Sequence, residues 1–195
     1  MERYLGKLRY IKENGMIRAF LLFFAEDSGI ECTEDLYNDF ITQLGGKRFG
    51  NGLFNSFSKD NLKKWTEIVN EAYPEFRNLF ELFGYDWLGR CFGIDLRKNT
   101  YGNVLMFEIG TNDVLEIPCT FDKFLNEEIP LYADECLAKS FFDEWMNHFG
   151  KAIAYGRCAG YKIPLFLGGE DNVNNLEDSD MEVYWSIITQ IKSRL

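Results

Sequence analysis

Apolar residues recur at helical spacing through the first third of the chain. Tyr4, Leu8 and Ile11 are spaced for one helix face, and the dense apolar stretch 17–25 predicts a buried helix. A second helix is predicted after Thr33, whose hydroxyl can accept a hydrogen bond from a first-turn N–H and so cap the helix. The apolar stripe of this second helix comprises Leu36, Phe40, Ile41 and Leu44.

A glycine-rich segment, residues 45–52, separates this helix from the next. It contains Lys47 and Arg48 and could cradle a phosphate, but it matches neither the Gly-x-Gly-x-x-Gly nor the Walker pattern and follows a helix. We therefore interpret it as a helix end and a turn. Ser58 then begins a helix that ends at Tyr73, because the residue before Pro74 avoids helical geometry. The buried face of that helix is expected to carry Leu62, Trp65, Ile68, Val69 and Ala72.

The middle of the chain has the composition of strands. Residues 82–96 are rich in aromatic and branched side chains, and polar turns at 98–103 and 111–113 bound two further apolar runs, 104–109 and 114–117. These runs with short connections predict an antiparallel β-meander.

The last third mixes element types. Thr120 is expected to cap a short helix, a single long helix is predicted over 134–149, a buried strand over 163–167, a polar loop over 168–180 and a final helix over 181–191. The order of helices, sheet and helices predicts an α+β fold, in which an antiparallel β-meander packs with helices after a helical N-terminal third. A boundary near Pro74 would give a helical part, 1–74, and an α+β part, 75–195, unless the chain forms one continuous unit.

The charge of the chain is uneven, and this affects which partners are plausible. The 195 residues carry a net charge of -10, and residues 168–182 hold six acids and no base. Such a surface repels phosphate backbones and attracts basic proteins, although it can also serve only solubility. We expect a basic protein partner, no direct nucleic-acid binding and no membrane. The acids predicted to bind the partner are Glu170, Asp171, Glu177, Asp178 and Asp180.

The cysteines and the chain start bear on location. The five cysteines are scattered and none forms a Cys-x-x-Cys pair, which favours free thiols in a reducing cytosol over disulfides or a zinc site. The first residues lack the apolar core of a signal peptide, and the longest apolar run, 19–25, is too short to span a bilayer. These features predict a soluble, cytoplasmic protein without a cofactor.

Candidate catalytic chemistry is sparse. His148 is the single histidine and falls in an amphipathic segment, where a structural role is favoured. Asp86 lies in an apolar strand, and Arg90 is a partner within reach. The oxygen-rich segment 171–178 lacks the ligand spacing and central glycine of a calcium loop, so we interpret it as an Asx turn. We therefore expect no catalytic residue and no metal.

Three segments together resemble a known family. They are Phe-Gly-Asn-Gly-Leu-Phe at 49–54 before a tryptophan-bearing helix, Phe-Gly-Tyr-Asp-Trp-Leu-Gly-Arg at 83–90, and Pro-Leu-Phe-Leu-Gly-Gly-Glu-Asp at 164–171 before Asn-Leu-Glu and Val-Tyr-Trp. Over residues 39–191 the chain resembles the GAD-like / type VI secretion DNase immunity protein family. The motif residues, for which we expect structural roles, are Trp65, Asp86, Trp87, Gly89, Pro164, Gly168, Gly169, Tyr184 and Trp185.

The resemblance implies a protein that binds and neutralises a cognate bacterial toxin, which the family name ties to secreted DNases, and it carries no catalytic residues over to this chain. Two other functions stay open at this point. One is an intracellular regulatory or scaffold module, and the other is a small-molecule-binding protein or enzyme that uses residues 45–52 or Asp86.

Overall fold

The computed structural model describes residues 17–25 and 35–195. The helix expected around Tyr4, Leu8 and Ile11 lies outside these residues, and so does Thr33. Within them the predicted α+β class is confirmed, because helices pack on both faces of a six-stranded antiparallel sheet.

Two short helices precede the sheet. Helix α1, Arg18–Phe23, buries Phe20 and Leu21, as the apolar stretch predicts. Helix α2, Leu36–Leu44, buries the expected stripe, but its N-cap is Asp35, whose carboxylate accepts a hydrogen bond from the Asn38 amide at 3.1 Å. The prediction of Thr33 as the cap was therefore wrong, since the cap lies two residues later.

The sheet follows the chain order, β1 to β6, with every neighbouring pair antiparallel, so the predicted meander is confirmed. Helix α3, Lys59–Ala72, connects β2 to β3 and begins after Ser58 as expected. The strands are β1 Arg48–Phe49, β2 Phe54–Ser56, β3 Phe80–Asp86, β4 Cys91–Asp95, β5 Asn103–Glu108 and β6 Asp113–Thr120.

The alternation of side chains divides the core between the two faces of the sheet. Phe83 and Phe92 point to a cluster that includes Phe20 of α1 and Phe40 of α2. Their neighbours in sequence, such as Leu82 and Cys91, belong to a second cluster on the opposite face, with the buried side of α3 and the last helix. The sheet is thus covered on both sides, which explains the apolar runs in its central strands.

The long helix predicted over 134–149 was wrong. The chain after β6 forms α4, Phe121–Lys123, a π-turn, Phe124–Glu128, and α5, Ile129–Leu131. Two separate helices follow, α6, Ala133–Leu137, and α7, Lys139–Phe149. Ala138 separates α6 from α7 with a φ of 51°, a left-handed conformation that interrupts the helical hydrogen bonds. Beyond the break, α7 buries Phe142 and Trp145.

The strand predicted over 163–167 was also wrong. The strand is β7, Arg157–Tyr161, and it pairs with β8, Leu176–Asp180, inside the segment predicted as a loop. Pro164 and the turn at Gly168, where φ is 86°, enclose a single 3-10 turn, Leu165–Leu167, that cannot extend a strand. Helix α8, Met181–Lys192, ends the fold as expected.

The proposed boundary at Pro74 falls between paired strands, because β2 on one side pairs with β3 on the other. The division into 1–74 and 75–195 stays a prediction. Among residues 17–25 and 35–195, no helix combines the length and apolar character needed to cross a bilayer.

Candidate partner-binding surface

The segment that joins β7 to β8, residues 162–175, is called here the β7–β8 loop. One side chain, Asn175, closes it. The Asn175 Nδ2 group donates to the carbonyls of Ile163 (2.8 Å) and Glu170 (2.9 Å), and the Ile163 amide donates to Asn175 Oδ1 at 3.0 Å. Because a single amide group reaches both ends of residues 163–170, these ends are held side by side.

A second asparagine orders the far half of the loop. Asn172 Oδ1 accepts hydrogen bonds from the amides of Asn174 (3.0 Å) and Asn175 (3.3 Å), while its Nδ2 donates to the Glu170 carboxylate at 2.8 Å. The Asx turn expected from the sequence is thereby confirmed.

The loop is also fixed to the body of the fold. The Leu165 amide donates to the carbonyl of Gly110, in the β5–β6 turn, at 2.9 Å. The Tyr161 hydroxyl donates to Asp171 Oδ1 at 2.7 Å. Burial is the larger cause and this carboxylate contact the second cause of a raised pKa of Tyr161, so the hydroxyl stays protonated and remains a donor. The loop therefore has a defined shape although its surface faces solvent.

The five acids predicted to bind a partner lie along this loop and β8, and they differ in what they do. Glu170, Asp171, Glu177 and Asp180 are exposed, and Asp178 is half-buried. Asp180 caps α8 by accepting from the Val183 amide at 3.1 Å. Their role as contact residues stays a prediction.

Asp178 makes the most contacts of these acids. It accepts from Lys151 Nζ and Arg157 Nε, each at 2.5 Å, and so links β8 both to β7 and to the segment before it. Partial burial raises its pKa, but the hydrogen bonds from Lys151 and Arg157 outweigh burial and hold the pKa below its ordinary value. Asp178 thus stabilises the fold through these ion pairs and also contributes to the acidic surface.

Several motif residues meet in the core cluster that α3 and α8 form with the sheet. Trp65 of α3 and Trp185 of α8 are buried with ring centroids 6.2 Å apart, and Trp185 Nε1 donates to the Gly89 carbonyl at 2.9 Å. Gly89 has a φ of 78°, and a Cβ there would lie 3.1 Å from Cys158 Sγ. The turn between β3 and β4 therefore has little room for a side chain at this position.

Asp86 and Trp87 fix the same turn from within. The buried Asp86 carboxylate accepts from the amides of Leu88 and Arg90 and pairs with the Arg90 guanidinium at 2.6 Å, as expected from the sequence. Burial raises the pKa of Asp86, and the Arg90 charge opposes that rise. Trp87 Nε1 donates to the Leu137 carbonyl at 2.9 Å, which joins the turn to α6.

The remaining motif residues shape the base of the loop. Pro164 is buried, and a Cβ on Gly169 would collide with the Ile163 carbonyl, so the close approach of the two loop ends requires a glycine. Tyr184 of α8 packs its ring against Gly160 of β7, where a Cβ would come within 2.7 Å. Its hydroxyl accepts from the Tyr161 amide at 3.3 Å.

The candidate catalytic residues do not converge. His148 is exposed on α7 beside Phe149, Asp86 is occupied by Arg90, and Arg48 of the glycine-rich segment donates to the Ile153 carbonyl at 3.2 Å. Across the described ranges, no three His, Cys, Asp or Glu side chains are grouped so as to hold a metal ion.

Four of the cysteines are buried free thiols, and Cys32 lies outside the described residues. Burial raises the pKa of Cys119 and Cys136 to about 12, so both are unreactive thiols at neutral pH.

The sequence interpretation missed two surface residues. Ile163 and Leu167, expected inside a buried strand, have 55% and 44% of their surface exposed. The signal that could have found them was the enclosure of this short run by Pro164 and the Gly168–Gly169 pair, which prevents a strand.

Residues 120–192 match the family model described as T6SS immunity protein Tdi1, C-terminal. The resemblance predicted from the sequence is thereby confirmed for this part of the chain, which includes β7, the β7–β8 loop, β8 and α8. Residues 120–192 are thus similar to a type VI secretion immunity family.

A solved structure shares the fold. The chain superposes on the crystal structure of Atu4351 from Agrobacterium tumefaciens with a TM-score of 0.61 and 19% identity, over 90% of this chain and 89% of the other. The two structures therefore share a fold over nearly the whole chain, and not only over residues 120–192. No curated protein matches the chain.

Proposed function

We propose that this chain protects a bacterial cell by binding the toxin domain of a type VI secretion effector directly and without catalysis. The observation that carries the proposal is the match of residues 120–192 to the C-terminal model of an immunity family. The dispersal of candidate catalytic groups is consistent with a binding role, because no nucleophile, base and metal ligand set converges among the described residues.

The charge of the chain favours one class of effector. A nuclease must attract DNA, so its substrate groove is expected to be basic, and a net charge of -10 complements such a groove. The acids of the β7–β8 loop and β8 lie on one hairpin, which concentrates negative charge in this part of the molecule. We therefore propose a DNase effector as the partner, with Glu170, Asp171, Glu177, Asp178 and Asp180 contributing the complementary field.

The proposal is tested by association kinetics with the inactivated toxin domain of the effector encoded beside this chain. We expect a stable complex whose association slows as salt is raised, and protection of cells that express the active toxin. The variant Glu170→Lys/Glu177→Lys should slow association about 10-fold at low salt, because both side chains are exposed and steer encounter.

A matched control carries the same change of charge elsewhere. Glu67→Lys/Glu71→Lys reverses two exposed acids on α3 and should leave association within about 2-fold of the native rate, since the field there acts on another surface. Equal effects of the two variants would remove the loop acids from the interface. Absence of both binding and protection by the native chain would refute the proposed function itself.

A further inference from the structure

Two large aliphatic side chains stand out on the β7–β8 loop. Ile163 and Leu167 expose 55% and 44% of their surface; Ile163 precedes the 3-10 turn Leu165–Leu167, and Leu167 ends it. Single exposed apolar residues are ordinary. Here, however, two of them lie on one ordered loop, so the exposure is not a consequence of a loose segment.

The loop backbone is already ordered, and this affects the free energy of binding. The Asn175 amide holds the Ile163 and Glu170 carbonyls together, and the Leu165 amide is bound to the Gly110 carbonyl. A partner that covers Ile163 and Leu167 would therefore not need to order the backbone that carries them. Preorganisation of this kind lowers the entropic cost of association.

The same hydrogen bonds set the apolar side chains beside acids. Ile163 and Glu170 share the Asn175 amide as a donor to their carbonyls, and Asp171 is fixed by Tyr161. The loop itself carries Glu170 and Asp171 against one base, Lys162, whose Nζ donates to the Asn174 carbonyl at 2.8 Å. Residues 176–182, which follow the loop, add four acids and no base. Exposed aliphatic side chains thus lie beside an acidic segment, the combination expected of an interface core and its polar border.

We propose that the β7–β8 loop is the surface that docks on the effector, with Ile163 and Leu167 inserted as anchors and Glu170 and Asp171 at the rim. This inference rests on the proposed function and names the site through which it would act. The occupant is a protein surface with an apolar pocket bordered by Lys or Arg side chains. A second copy of this chain is a poor occupant, because two acidic loops would repel each other.

A comparable pair of exposed aliphatic residues lies on α8, where Val183 and Ile187 expose 55% and 51% of their surface. The nearby groove between α3 and α8 carries both signs of charge, since three bases line it with four acids: Lys63, Lys64 and Arg77, and Asp60, Glu67, Glu71 and Glu182. Its charges nearly cancel, so it attracts a basic partner less than the acidic β7–β8 hairpin does. Val183 and Ile187 therefore provide a control pair of comparable exposure and similar size.

The test compares Ile163→Ala/Leu167→Ala with Val183→Ala/Ile187→Ala in titrations against the same inactivated toxin domain. The loop variant should raise Kd at least 30-fold, mostly through faster dissociation, because two anchors that each contribute a hot-spot contact are truncated. The helix variant should stay within about 3-fold of the native Kd. Thermal melting checks that both variants are folded. If the double loop variant is unfolded, Leu167→Ala alone replaces it, with an expected rise of about 5-fold in Kd.

The outcomes separate the two proposals. If the native chain and the loop variant bind equally, the docking surface is wrong while the proposed function stands. If the helix variant weakens binding as much as the loop variant or more, the docking surface is wrong as well. If the native chain does not bind the toxin domain, both the function and the docking surface fall.

Discussion

Asp86 places a charge at a fully buried position, and its surroundings explain how the fold accommodates it. The carboxylate accepts two backbone amides of its own turn and the guanidinium of Arg90, so each oxygen has a donor. Arg90 in turn donates to the Cys136 carbonyl at 3.3 Å. One ion pair thereby holds the β3–β4 turn in shape and connects it to α6.

The ion pair leads to a prediction about stability. Asp86→Ala should lower the free energy of unfolding by about 3–5 kcal/mol, because it leaves the buried Arg90 without a counter-charge. The control is Asp143→Ala, which removes an exposed partner of Lys139 at the same spacing and distance and should cost less than about 0.5 kcal/mol. Urea denaturation measures both, and similar losses would show that burial does not set the cost.

At the scale of elements, the break at Ala138 is the feature that hydrophobic spacing did not indicate. Both α6 and α7 present apolar residues at helical intervals, so the sequence reads as one helix. With the chain broken at Ala138, Leu137 of α6 and Trp145 of α7 lie in the same core cluster. The left-handed residue between them is an alanine, which offers no composition signal.

The break predicts an unusual order of stabilities at one position. In a continuous helix the order would be alanine, then valine, then glycine. At a left-handed position glycine should equal or exceed alanine, and Ala138→Val should lose about 1 kcal/mol or more, because its Cβ substituents crowd the backbone. Thermal unfolding of Ala138→Gly and Ala138→Val decides between the two orders, and a glycine variant less stable than the valine variant would contradict the break.

The sequence predicted helices and strands better than it predicted which of their side chains are exposed. Helix α3, the meander and α8 followed from spacing and turn residues, because each element has its own amphipathic pattern. The β7–β8 hairpin was not predicted, since its strands are short and the loop between them carries exposed apolar residues. Ile163 and Leu167 have the composition of a core, and only tertiary contacts decide that they face solvent.

At the scale of the whole molecule, contacts cross the position where a boundary was predicted. Trp65 of α3 lies 6.5 Å from the Tyr85 ring of β3 and also packs on Trp185 of α8. Lys192 Nζ donates to the Ala72 carbonyl at 2.7 Å. Removal of residues 1–74 would expose this face of the sheet.

We therefore expect residues 75–195 alone to lack cooperative unfolding, whereas the full chain should unfold in one transition seen alike by circular dichroism and tryptophan fluorescence. The physical reason is the loss of α3, which covers Tyr85 and Trp185. A truncated chain that keeps a near-ultraviolet dichroism signal and a sharp transition would instead favour two independent domains.

The burial of the tryptophans has a spectroscopic consequence. Trp65, Trp87, Trp145 and Trp185 are each at most 5% exposed, and they are all the tryptophans of the chain. Their emission reports the two core clusters and is shielded from events at the rim of the β7–β8 loop. A change in emission wavelength on mixing with a partner would then arise either in the partner's own indole rings or from a rearrangement of this core, and a partner without tryptophan distinguishes the two.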